Sequence, residues 1–75
     1  MITVKLFGLV RLETGIKELQ VEAANMRQLR KALCQYIPEE KIKGCVLLVN
    51  GKQTNPFTKL NSGDQVMLMP PVAGG

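Results

Sequence analysis

The chain contains no histidine, three aromatic residues and two cysteines among its 75 residues, and each shortage removes a class of function. Without histidine, a Ser–His–Asp triad, a Cys–His nucleophile pair and a histidine metal site cannot be built from this chain. Phe7, Tyr36 and Phe57 are too few and too scattered for a base-stacking platform. Cys34 and Cys45 could close at most one disulfide, and Met1-Ile2-Thr3-Val4-Lys5 opens on alternating residues rather than a signal peptide, so a reducing cytoplasm is the expected location. The longest apolar run, Cys45 to Val49, falls far short of the roughly 20 residues of a membrane helix. The length itself admits one small domain, which excludes most self-contained enzymes. Ten Lys and Arg against six Asp and Glu leave +4, but the cations are mostly scattered singly, and the only close groups are Arg27, Arg30, Lys31 and Lys41, Lys43. Such a pattern reads as a solvated surface, with an acidic protein partner the next reading; neither nucleic acid nor membrane is expected.

What is present has clear periods. Ile2, Val4 and Leu6 alternate with Thr3, Lys5 and Phe7 as in a half-buried strand over 2–7. Gly8 to Gly15 reads as a turn region, followed by a second strand around Ile16, Leu19 and Val21. Asn25 can cap a helix opening at Met26, with Gln28 at the capping-box position. Met26, Leu29, Leu33, Tyr36 and Ile37 recur at three- and four-residue steps, and Pro38 should end that helix at Ile37. Glu39 to Gly44 is a polar connection with room for one short turn. A third strand is expected over 45–49, Asn50-Gly51 is a strong hairpin signal, and a short return strand follows near Lys52–Thr54. After the Asn61-Ser62-Gly63-Asp64 turn, Val66 and Leu68 alternate with Gln65, Met67 and Met69 in a last strand that stops at Pro70. The result is an α+β domain over 1–69, a mixed sheet of four to five strands packed on one main helix, compatible with a β-grasp.

The ending Pro70-Pro71-Val72-Ala73-Gly74-Gly75 has nothing with which to build a packed element. Two prolines remove backbone donors and favour an extended chain, so residues 70–75 are expected to leave the body as a flexible C-terminal arm. Six residues at about 3.3 Å each reach about 20 Å, enough to thread a terminal carboxylate into a neighbouring active site. Gly74 and Gly75 add no side-chain bulk and could pass a channel only as wide as a backbone. A frayed end is the plain alternative, but at this chain's glycine content two specified positions are both Gly only about 1% of the time.

The β-grasp order and the ending Met69-Pro70-Pro71-Val72-Ala73-Gly74-Gly75 resemble the ubiquitin-like sulfur carriers of the MoaD/ThiS family, most closely the MoaD-like small subunit of molybdopterin synthase. Phe7, Asn50-Gly51 and the Ser62-Gly63-Asp64 turn support the likeness, whereas Met69 stands where the family often has Phe, and +4 contrasts with frequently acidic members. The resemblance implies that the Gly75 carboxylate is adenylated by an E1-like adenylating enzyme that consumes ATP. A persulfide sulfur donor then displaces AMP to leave a thiocarboxylate. In a large molybdopterin synthase subunit that sulfur would pass to a pterin precursor of the molybdenum or tungsten cofactor. The chain would be a carrier subunit rather than an enzyme, with no bound cofactor and no metal. Carriers for thiazole, tRNA thiolation or amino-acid synthesis, protein modifiers joined through Gly75, and a non-covalent interaction module are the alternatives.

Two further groups carry expectations. Cys34 beside the apolar helix face and Cys45 at the start of a buried-looking strand read as packing residues rather than sulfur handlers. Strand parity turns Ile2, Val4, Leu6, Leu47, Val49, Val66 and Leu68 toward the helix, which leaves Phe7, Leu48, Met67 and Met69 on the opposite sheet face as a partner-docking group. That group stays a surface only if the loop carrying Phe57 does not fold over it.

Overall fold

The alternation at the start of the chain forms β1 (Ile2–Leu6), with Ile2, Val4 and Leu6 buried and Thr3 and Lys5 half-buried on the other face. The computed structural model describes residues 1–70. After β1 come α1 (Gly8–Thr14), β2 (Glu18–Val21), α2 (Met26–Leu33), α3 (Glu39–Lys43), β3 (Val46–Val49), β4 (Lys52–Gln53) and β5 (Gln65–Met69). One five-stranded sheet has the order β2-β1-β5-β3-β4. Its central pair, β1 and β5, is parallel, and the remaining pairs are antiparallel. The mixed sheet on one main helix is the ubiquitin-like β-grasp expected from the period pattern.

Helix α2 forms where the pattern placed it. The Asn25 side chain accepts from the Gln28 backbone N–H at 2.9 Å, satisfying a donor that the first turn cannot bond internally. Gln28 reaches back one residue further than in the usual capping box, its Oε1 accepting from Ala24 N–H at 2.9 Å. Met26, Leu29 and Leu33 are buried, and with Ile37 and Ile42 they cover the face of the sheet that presents Val4, Leu6, Val66 and Leu68. This contiguous apolar layer is the driving force of the fold, each fully buried Leu or Ile contributing about 1.5–3 kcal/mol.

The structure differs from the local expectations at five points. The Gly8 to Gly15 region holds a seven-residue helix, Gly8–Thr14, rather than a plain turn: Val10 is buried in the core, and Gly15 closes the helix in the left-handed region, its N–H donating to Arg11 O. Helix α2 ends at Leu33 rather than Ile37, because the chain tightens there: Tyr36 N–H and Ile37 N–H both donate to Leu33 O, at 2.9 and 2.8 Å. The tighter turn still buries Ile37 but leaves Tyr36, expected on the apolar face, exposed. Strand β3 begins at Val46, and β4 stops at Gln53 because Thr54 turns its hydroxyl to Leu47 O at 3.3 Å.

The hairpin turn at Asn50-Gly51 takes up positive φ at both residues, 51° and 83°. Its asparagine also ties the sheet together. Asn50 Oδ1 accepts from Gln65 N–H at 3.1 Å, and Asn50 Nδ2 donates to Asp64 Oδ1 at 3.2 Å. The other oxygen of Asp64 accepts from Asn61 N–H at 2.8 Å. The Asn61 N–H first, and the Asn50 amide second, hold the Asp64 carboxyl below its ordinary range.

Candidate functional site

β5 is the element that delivers the chain to residue 70, and it lies at the centre of the sheet with β1 on one side and β3 on the other. Phe7 N–H donates to Leu68 O at 3.0 Å, extending the parallel ladder past the end of β1. Proline at 70 has no N–H to continue it, and Pro70 is exposed. Of the expected tail residues, Pro70 alone is described; Pro71, Val72, Ala73, Gly74 and Gly75 lie outside the described residues.

The strand registers define the open face. Glu18, Lys5, Met67, Leu48 and Gln53 form one row across all five strands, and Val46 and Met69 form the next. Phe7 follows Leu6 with the parity of this face, beside Met69. Phe7, Leu48, Met67 and Met69 are all half-buried, and none belongs to the buried core or to the apolar residues packed against it. Val46 shares their row and their half-burial. The sequence reading omitted it, although the alternation that selected Leu48 selects Val46 equally.

The Phe57 loop does not cover this face. Met26 N–H donates to Thr58 O at 3.0 Å and Arg27 N–H to Pro56 O at 3.2 Å, which fastens the loop over the first turn of α2, in the helical layer. Asn55 Oδ1 accepts from Phe57 N–H at 2.8 Å, and the Phe57 side chain is 82% exposed. Among the described residues the apolar row therefore stays open at the root of the tail, with Lys5 in it beside Glu18. Helix α1 presents Leu9 and Leu12 to solvent at 63% and 78% exposure.

Cys45 directly precedes Val46, the residue paired with Met69, so it lies at the end of the strand beside the tail root. Cys34, expected to pack beside the helix face, is instead exposed, whereas Cys45 is half-buried against the core with its thiol donating to Lys41 O at 3.1 Å. Burial pushes the Cys45 thiol up, which lowers its thiolate fraction and its value as a nucleophile. Cys45 lines a hollow of about 250 Å³ with Met26, Arg30, Leu47 and Thr54. Among the described residues, no three His, Cys, Asp or Glu side chains gather where they could hold a metal. No helix among them is long and apolar enough to cross a membrane.

Among the described residues, the arrangement brings central strand β5 to Pro70 beside an apolar face. Comparison with known proteins gives this geometry a context. The family model described as ThiS family matches residues 4–75. No curated protein matches the chain. Among solved structures, the chain is similar to the Pyrococcus furiosus protein assigned as subunit 1 of molybdopterin converting factor, at 27% identity and a TM-score of 0.80 over 95% of this chain and 97% of that one. It is also similar to a chain in the complex of subunits 1 and 2 of molybdopterin-converting factor from Helicobacter pylori, at 27% identity and a TM-score of 0.74 over 99% and 97%. Small archaeal modifier protein 1 from Methanosarcina acetivorans shares the fold, with 23% identity and a TM-score of 0.82 over 99% of this chain and 95% of that one.

Proposed function

The chain belongs to the ThiS family, and from that premise we propose that it is a cytoplasmic sulfur carrier whose Gly75 carboxylate is activated and loaded with sulfur for molybdopterin biosynthesis. The observation that carries this reading is the placement of the tail root: central strand β5 runs directly into Pro70 beside an open apolar face, and the sequence from there is Pro-Pro-Val-Ala-Gly-Gly. The 27% identity to subunit 1 proteins of molybdopterin converting factor supports the pterin branch, and the Helicobacter pylori complex of subunits 1 and 2 supports a large synthase subunit as a partner.

The chemistry follows from what a carboxylate lacks. It is a poor electrophile, so an E1-like adenylating enzyme must first join the Gly75 carboxylate to the α-phosphate of ATP, with pyrophosphate leaving. A donor's persulfide sulfur then attacks the acyl carbon and AMP leaves. A thiol removes the donor's own sulfur from the resulting acyl disulfide, and the thiocarboxylate remains at Gly75. Held in the synthase subunit, that sulfur is the nucleophile toward the pterin precursor, supplied at high effective concentration. No side chain of this chain acts as acid or base in the scheme, which suits a sequence without histidine. On this reading the chain is a carrier subunit, not an enzyme, and binds no cofactor itself. Its docking group is Phe7, Val46, Leu48, Met67 and Met69.

Intact mass tests the reading. After incubation with an E1-like activating enzyme, ATP and a persulfide donor, the chain gains the mass difference of one oxygen exchanged for sulfur, localised to Gly75. Sulfur carried on Cys34 or Cys45 instead refutes it. Gly75 found in isopeptide linkage to lysines in place of a thiocarboxylate moves the chain to the protein modifiers.

A further inference from the structure

The register that joins β1 to β5 pairs Leu6 with Leu68, so two residues further along, Gly8 stands opposite Pro70. Gly8 is in the left-handed region at φ 66°, where α1 turns away from the sheet. A Cβ built on it would lie 2.7 Å from Pro70 Cγ and 3.0 Å from Pro70 Cδ. Among the described residues the three other glycines with positive φ, Gly15, Gly51 and Gly63, have nothing within 4 Å of such an atom. Gly8 is thus the positive-φ glycine whose missing side chain is occupied by another part of the chain.

We infer that Gly8 is a positioning residue of the carrier tail: its bare Cα is the seat of the Pro70 ring, and that seat sets the direction in which the chain leaves the sheet toward the activating partner. The ring cannot yield as a flexible side chain would, because Cδ is bonded to the Pro70 nitrogen and the ring fixes φ. Bringing Cγ back to an ordinary 3.4 Å contact requires about 0.7 Å of movement, and that movement is of the backbone at the root of the tail. It re-aims the backbone where the chain leaves Pro70. A displacement of about 1 Å at a reacting group can cost on the order of a hundredfold in rate. The inference rests on the sulfur-carrier reading for its consequence, though the seat itself does not.

The test is a double-substitution cycle of Gly8→Ala, Pro70→Ala and the pair, in the full-length chain. It is read by thermal melting, by NMR contacts between the Gly8 Hα and Pro70 ring protons in the unmodified chain, and by the KM of the carrier in pyrophosphate release by the activating enzyme. The unmodified chain shows the ring contact. Gly8→Ala raises KM about tenfold or more when residue 70 is proline. It raises KM less than about twofold in the Pro70→Ala background, where the obstructing Cγ and Cδ are gone. Gly8→Ala effects that are equal in both backgrounds overturn the seat, since they would leave Gly8 serving only its own backbone conformation. A Gly8→Ala chain that melts lower yet keeps its KM below the melting range overturns the positioning role. An unmodified chain that the enzyme never adenylates overturns the carrier reading and the aiming role with it, a result distinct from an adenylated chain with an additive cycle.

Discussion

Placing a carboxylate on the open sheet face separates docking from folding, and the registers indicate which substitution does so most cleanly. Leu48 and Met67 occupy one row, but Met67 is paired with Lys5 on its other side, whereas Leu48 is paired with Gln53. Both side chains are half-buried. Losing half the burial of such a side chain costs roughly 1 kcal/mol, and aspartate in a strand adds up to about 1 kcal/mol. Leu48→Asp is therefore expected to cost about 2 kcal/mol, and Met67→Asp less, because a cross-strand pair with Lys5 returns roughly 0.2–1 kcal/mol. Stability of about 0.05–0.15 kcal/mol per residue gives a 75-residue domain about 4–11 kcal/mol, so both variants stay folded. At about 4–8 °C per kcal/mol, Leu48→Asp should melt some 8–16 °C lower. Binding should fall as well. A buried apolar anchor at the centre of an interface is worth about 2 kcal/mol or more, so affinity for the activating enzyme or the large synthase subunit should drop well over tenfold, measured by calorimetry below the melting range. Unchanged affinity for both partners in folded Leu48→Asp and Met67→Asp would refute the docking face. A domain that unfolds outright would show that these side chains are core.

Deleting Gly74 and Gly75 should leave the melting temperature nearly unchanged, since two glycines bury little apolar area, while adenylation is abolished; normal activation of the truncated chain would refute the carrier assignment. Asn25→Ala removes the acceptor for Gln28 N–H and should cost about 1 kcal/mol, read by thermal melting, with carrier function kept. Asp64 has a lowered folded-state pKa, so its contribution is present above the unfolded carboxylate pKa near 3.9 and is lost as pH falls through the folded value. Asp64→Asn should therefore flatten the acid limb of a melting-temperature profile while leaving its slope near neutral pH unchanged. Leu29→Ala, at a fully buried position on the core face of α2, should cost about 2–5 kcal/mol, read by denaturant unfolding.

The parts of this fold legible in the sequence are those whose physical cause is local. Ile2, Val4 and Leu6 declare their strand because period 2 is a property of neighbouring residues, and Asn50-Gly51 declares its hairpin because both residues supply the positive φ it needs. Helix α1 was hidden for the converse reason. It is seven residues long, has no side-chain cap and buries only Val10, so its sequence carries little more than the glycines at its two ends. What sustains it is the sheet beneath Val10, and that sheet includes β5, more than fifty residues away. The end of α2 shows the same competition at shorter range. Tyr36 satisfied the helical period, yet the chain tightened after Leu33 to bury Ile37, and Tyr36 was left outside. For the candidate site, parity alone assigned Phe7, Leu48, Met67 and Met69 to one face, and the registers place them there. Parity could not say whether that face would stay open, because the answer lay in the backbone bonds that fasten the Phe57 loop to α2. Nor could it reveal the contact between Gly8 and Pro70. That contact joins residues at opposite ends of the chain, and it exists only because the two central strands run parallel, bringing the exit from the first beside the exit from the last.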